Sequence, residues 1–236
     1  MKSNKTGVLI VNLGTPDHYS VPDVRKYLRE FLMDGRVIDI PHFNRWLLVN
    51  LIIAPFRAPK SAKVYQELWT EKGSPLMFYG VEIEKKLQQV MGDGFIVKLG
   101  MRYQNPSIKT ALGYLKDSNI SSLIVLPLFP QYASATTGSI HQKVMEQIRE
   151  WENIPELHFI NGYCNNEGFI KAFAERAREK LKDKEFDLML FSYHGLPERQ
   201  ILKASVDNFC ELNDCCSTYG AHNQFCYRAQ CFETTR

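Results

Sequence analysis

Several features are scarce or missing in this 236-residue chain, and each narrows its function. No apolar run is long enough to cross a bilayer. The greasiest stretch, Trp46 to Phe56, is about half the roughly 20 residues a spanning helix needs. No apolar secretory core precedes the first strand-like run at Gly7, so the expected location is the cytoplasm. Charge is nearly balanced, 29 basic against 26 acidic residues, for a net +3. Nucleic-acid binding, which shows as a strong basic stripe, is not expected. The turn Leu13-Gly14-Thr15-Pro16 lacks the spaced glycines and later acidic residue of a dinucleotide site. There are no internal repeats and no low-complexity linker. Cysteine is almost absent before residue 210, where only Cys164 occurs.

That last scarcity makes the final stretch conspicuous. Cys210, Cys215, Cys216, Cys226 and Cys231 fall within 22 residues. In a reducing compartment, clustered cysteines favour metal over disulfides. Five thiols exceed the four that a [2Fe–2S] cluster or a closed zinc site requires. The spacing is not the Cys-x2-Cys pairing of zinc ribbons, which favours [2Fe–2S] with zinc as the alternative. One of Cys215 and Cys216 is expected to be spare.

Short apolar runs alternate with helical periodicity. Strands are expected at Gly7–Asn12, Phe95–Leu99, Leu123–Leu126, Leu157–Ile160 and Asp187–Tyr193. Helices are expected from Ser20 to about Asp34, Pro106 to Lys116, Ser139 to Trp151 and Glu167 to Leu181. The series predicts an α/β fold with a parallel sheet flanked by helices. Ligands of such sheets bind beyond the carboxyl ends of the strands. Three loops gain weight for that reason: Leu13–Pro16, Pro127–Gly138 and His194–Pro197. The Pro127–Gly138 loop is rich in hydroxyls and small residues; it reads as a helix cap or as an anion cradle.

His194 follows the last expected strand, and Gly195 and Pro197 turn the chain there. A neutral imidazole at that edge can take a proton or bind a metal. The apolar Trp46–Phe56 segment reads as a core helix, as a lip around a pocket, or as a patch touching a membrane surface. Arg57, Lys60, Tyr65 and Ser74 follow it closely. Beside such a lip they suit a flat apolar ligand carrying carboxylate arms.

Five motifs, in order, resemble ferrochelatases: Val11-Asn-Leu-Gly-Thr-Pro16, Gly73-Ser-Pro-Leu76, Met101-Arg-Tyr103, Phe129-Pro-Gln-Tyr132 with Thr136-Thr-Gly-Ser139, and Phe191-Ser-Tyr-His-Gly-Leu-Pro197. The resemblance implies two Rossmann-like lobes with a porphyrin in the cleft between them, and insertion of ferrous iron into protoporphyrin IX to make protohaem. By motif, His194 matches the active-site histidine, which takes pyrrole protons or binds the incoming iron. Leu13, Arg57, Tyr65 and Ser74 match porphyrin contacts, and Leu13 in place of a tyrosine leans toward protoporphyrin. Cys226-Tyr-Arg-Ala-Gln-Cys231 resembles the internal [2Fe–2S] segment of some bacterial members. Residues 1–185 would form the first lobe, with the porphyrin lip at about 40–75. Residues 186–236 would carry a strand, the histidine, the cysteines and the start of a connecting helix. The family's cleft glutamate and most of its second lobe would lie beyond Arg236, so this exact chain is expected to be inactive. Asn165 and Asn166 stand near where histidines are sometimes cited in the family. Expected partners are porphyrin and ferrous iron, with peripheral contact to the inner membrane and a monomeric or homodimeric state. The rival readings are a non-catalytic haem or iron–sulfur module for electron transfer or sensing, a cobalt or nickel chelatase, and a zinc-stapled structural fragment.

Overall fold

The structure, a computed structural model, describes residues 5–236. It divides into two compact units. The first holds the chain up to Leu128 together with Gly138–Ile160, and the second holds Phe129–Thr137 together with Asn161–Arg236.

The first unit is built on four parallel strands, β1 (Thr6–Gly14), β2 (Phe95–Tyr103), β3 (Ser122–Pro127) and β4 (Glu156–Phe159), in the order β2-β1-β3-β4. Parallel neighbours need crossover helices. These are α1 (Val21–Leu32), α2 (His42–Leu47), α3 (Ala54–Leu68), α4 (Pro75–Met91), α5 (Ile108–Asp117) and α6 (Ser139–Ile148). The sheet is covered on both faces, which explains why β1 reads as an unbroken apolar run. One core joins Val24, Tyr27, Leu28 and Leu32 of α1 to Ala58 and Ala62 of α3 and to Tyr103. Another joins Val8, Ile10, Val97, Leu99 and Met101 to Met77, Val81 and Leu87 of α4.

Local chemistry explains the boundaries. Ser20 caps α1, its hydroxyl accepting from the Asp23 amide at 3.3 Å, and Pro22 occupies the first turn, as its sequence predicts. The Trp46–Phe56 segment lies in one helical run in which α2 and α3 are joined by a π-helical turn, Leu48–Ile53. Val49 and Ala54 are buried, while Phe43, Trp46, Leu51, Ile52 and Phe56 are exposed. The sequence reading assigned no helix to α4. Ser74 at its N-cap and Pro75 in its first turn are the signals that mark it.

The second unit contains α7 (Glu167–Leu181), α8 (Glu198–Lys203) and α9 (Tyr227–Thr235), with two short 3-10 turns at Asp214–Cys216 and Ala221–Asn223. The expected fifth strand, Asp187–Tyr193, is not formed. Its residues have no regular secondary structure, and Leu188, Leu190 and Phe191 are exposed. A run of this composition is stable as a strand only when neighbours take up its backbone groups. Among the described residues none pairs with it.

Candidate active site

Two groups of residues carry the chemistry, one in each unit. In the first unit, β1 delivers Leu13 and Thr15 to the carboxyl edge of the sheet. Gly14 makes this close approach feasible. Its φ is +112°, and a Cβ there would stand 2.0 Å from the Tyr103 carbonyl oxygen. Leu13 packs against the core that includes Tyr27 and Tyr65. The Tyr65 ring meets Tyr27 edge-on at 6.1 Å. The Tyr27 hydroxyl bonds to that of Tyr65; burial raises the Tyr65 phenol, and the nearby Arg57 charge lowers it in part. Arg57 itself is exposed. Leu13, Tyr65 and Arg57 are therefore brought into one neighbourhood.

Ser74 lies apart from them. It is buried, and its hydroxyl donates to the Thr15 hydroxyl at 3.0 Å. Both border a cavity of about 510 Å³ that is also lined by Asp17, Trp69, Lys72 and Asn105. Lys60 is exposed on α3.

Sequence reasoning missed the polar knot beneath this edge. The Asp34 carboxylate accepts from Arg102 at 2.5 Å, from the Tyr103 hydroxyl at 2.9 Å and from the Ser139 hydroxyl at 2.5 Å. Its other oxygen accepts from the Arg36 amide at 2.8 Å. Burial alone would raise this carboxyl, but the Ser139 and Arg36 bonds and the Arg102 charge outweigh it and hold it below its ordinary value. Ser139 is thus committed to a carboxylate rather than to an anion cradle. The signal was present in Met101-Arg-Tyr103, read only as a motif.

In the second unit α9 is the organising element. Gln230, 2% exposed, accepts from the Tyr132 amide at 2.7 Å. Thr234 accepts from Gln131 at 3.0 Å and donates to the Cys164 carbonyl at 2.8 Å. The Pro-Gln-Tyr loop is therefore fastened to α9. His194 is exposed on the extended segment before α8. Tyr193 bonds through its hydroxyl to Thr235 at 2.9 Å. The His194 amide donates to the Tyr227 hydroxyl.

Four of the five clustered cysteines come together. Cys215 and Cys216 sulfurs are 4.0 Å apart, Cys216 and Cys226 sulfurs 3.9 Å, and Cys210 hydrogen-bonds Cys215. Two thiolates on one tetrahedral metal, each at about 2.3 Å, stand roughly 3.8 Å apart, so these spacings are close to those of bound ligands. The Glu211 and Leu212 amides point at Cys215 and hold its thiol below its ordinary value. Burial pushes Cys216 up to about 12, with Cys226 and Cys215 adding to it. Asn223 ties the loop, donating to the carbonyls of Cys215 at 3.0 Å and Thr218 at 2.7 Å. The four thiols border a cavity of about 10 Å³. Both members of the Cys215–Cys216 pair join this group. Cys231 instead faces Tyr227, burial pushing its thiol up to about 11. Among the described residues no three His, Cys, Asp or Glu side chains form a ready-made metal cage. The donor set suits a thiolate-bound iron pair in number and chemistry, and the chain would close around it.

Comparison with known proteins agrees with these motifs. The family model described as Ferrochelatase matches residues 5–236. A ferrochelatase of Coxiella burnetii (strain Dugway 5J108-111) is 46% identical over 235 residues, covering 99% of this chain and 65% of the relative. Ferrochelatases of Legionella pneumophila are similarly close: strain Corby at 46% and strain Philadelphia 1 at 47% identity, each over 98% of this chain and 68% of the relative. The chain thus spans about two thirds of the length of the relatives it matches. With a single family model running along nearly all of its residues, the chain belongs to the ferrochelatase family.

Proposed function

We propose that the protein inserts ferrous iron into protoporphyrin IX, releasing two protons and forming protohaem. The observation that carries this reading is the family match along residues 5–236, together with His194, an exposed imidazole in the motif Phe191–Pro197. The first 185 residues supply the grip on the macrocycle, and residues 186–236 supply the histidine and the cysteines.

The chemistry sets the demands. The two inner N–H groups of a porphyrin lie in the ring plane, so their protons must leave as the dication enters. Bending the ring tilts nitrogen lone pairs toward the metal, which is binding energy applied to distortion. Leu13 and Tyr65 offer apolar contact to the ring face, Arg57 a charge for a propionate arm, and Ser74 a hydroxyl. His194 is the base: an unperturbed imidazole titrates near pH 6.5, so it is mostly neutral at working pH and can accept a pyrrole proton.

The [2Fe–2S] cluster is assigned to Cys210, Cys215, Cys216 and Cys226, with zinc as the alternative occupant. When bound, it would cross-link the loop between Cys210 and Cys226 and could respond to redox state. The exposed face of Phe43, Trp46, Leu51, Ile52 and Phe56 supports peripheral contact with an apolar surface, the membrane included. No helix among the described residues is long and apolar enough to cross a membrane. The test is anaerobic iron insertion by the full-length protein, followed spectroscopically. Porphyrin binding without insertion would favour a carrier or sensor instead.

A further inference from the structure

The segment bearing His194 has no secondary structure to hold it, from about residue 182 to α8 at Glu198. A base must nevertheless be placed within hydrogen-bond reach of the proton it takes. What fixes this one is a short set of contacts to a single core. On one side of His194, the Tyr193 hydroxyl bonds to Thr235 at 2.9 Å, in the last turn of α9. At His194 itself, the backbone amide donates to the hydroxyl of Tyr227, in the first turn of α9. On the other side, Leu196 packs against the small core of Ile201, Cys216, Cys226 and Ala229. The helix thus grips the segment at both its ends, and Cys226 is its N-cap. The Tyr227 hydroxyl is itself fixed, because it also hydrogen-bonds the Cys231 thiol. Nothing else in the mechanism uses Tyr227, Cys231 or Thr235.

From this geometry we infer that Tyr227 is the positioning residue for His194: its hydroxyl clasps the His194 amide and so sets where the imidazole stands. The inference rests on the reading of His194 as the base. It also gives Cys231 a task other than ligation, as the group that orients the Tyr227 hydroxyl.

Tyr227→Phe keeps the ring and its packing but removes the clasp. In the full-length protein, kcat for iron insertion should fall about tenfold, the worth of one hydrogen bond, with KM for porphyrin within about twofold. The acid limb of the kcat–pH profile should shift, because the imidazole's surroundings change. Amide exchange resolved at His194 should quicken about tenfold, with exchange in α9 unchanged. Thr235→Val, which releases Tyr193 instead, should cost kcat in the same sense and provides a second reading if the first variant folds poorly. His194→Ala is run in parallel. If that variant is dead while Tyr227→Phe matches wild type in kcat, pH profile and His194 exchange, the positioning role is wrong and the base assignment stands. If His194→Ala turns over normally, the base assignment falls and takes the positioning role with it, whatever the exchange rates show.

Discussion

Asp34 and Arg102 meet at 2.5 Å with side chains only 8% and 14% exposed, joining the loop after α1 to the end of β2. Ser139 and Tyr103 bond the same carboxylate oxygen, so four elements of the first unit share one anion. Removing one partner of such a pair strands the other charge in a poor solvent. Asp34→Ala should therefore destabilise the protein by about 3 kcal/mol or more, read as a shift of the denaturant midpoint at unchanged slope. A change under about 1 kcal/mol would mean that water reaches Arg102 freely.

The same carboxylate gives stability a pH signature. Its folded pKa lies below its ordinary 3.8. The unfolded chain therefore binds the proton at higher pH than the folded one. The contribution is complete above about pH 4 and disappears as pH falls through the lower folded value. Wild type and Asp34→Asn should differ most at neutral pH and converge in acid. A gap that widens on acidification contradicts the assignment.

Gly14 is a backbone requirement rather than a flexible joint. Gly14→Ala places a methyl 2.0 Å from the Tyr103 carbonyl at a φ of +112°. A destabilisation of about 3 kcal/mol is expected, from strain and displaced backbone. Thermal unfolding checks it, and a near-neutral result would show that the β1–β2 edge can spread.

Cysteine variants separate the ligands from the bystander. Cys216→Ser should lose most of the iron and the associated visible absorption of anaerobically purified protein. Cys231→Ser should retain both. The reverse pattern would place Cys231 among the ligands and Cys216 outside them. Colourless protein holding zinc would reassign the occupant without changing the ligand set.

Periodicity and capping made most of the first unit legible in advance. β1 to β4 arise where unbroken apolar runs occur, and α1 starts at its Ser20 cap and buries Val24, Tyr27, Leu28 and Leu32 as its spacing predicts. The failures have physical causes. Asp187–Tyr193 has the composition of a buried strand, but strand formation depends on neighbours that composition does not reveal. α4 went unread because Gly73–Leu76 drew attention as a motif rather than as a helix start. At the site, the residue types were visible and the partnerships were not. Asp34 with Ser139, Gln230 with Tyr132 and Tyr227 with His194 are distant in sequence, and nothing local announces them.

The central claim is that the His194 imidazole removes the porphyrin's protons. The most direct measurement is anaerobic ferrous-iron insertion by full-length His194→Ala, with porphyrin affinity measured in parallel by fluorescence quenching. The account predicts porphyrin affinity within about twofold of wild type and a loss of insertion of at least the 10²-fold typical of a missing general base. Insertion at the wild-type rate with unchanged affinity would contradict it.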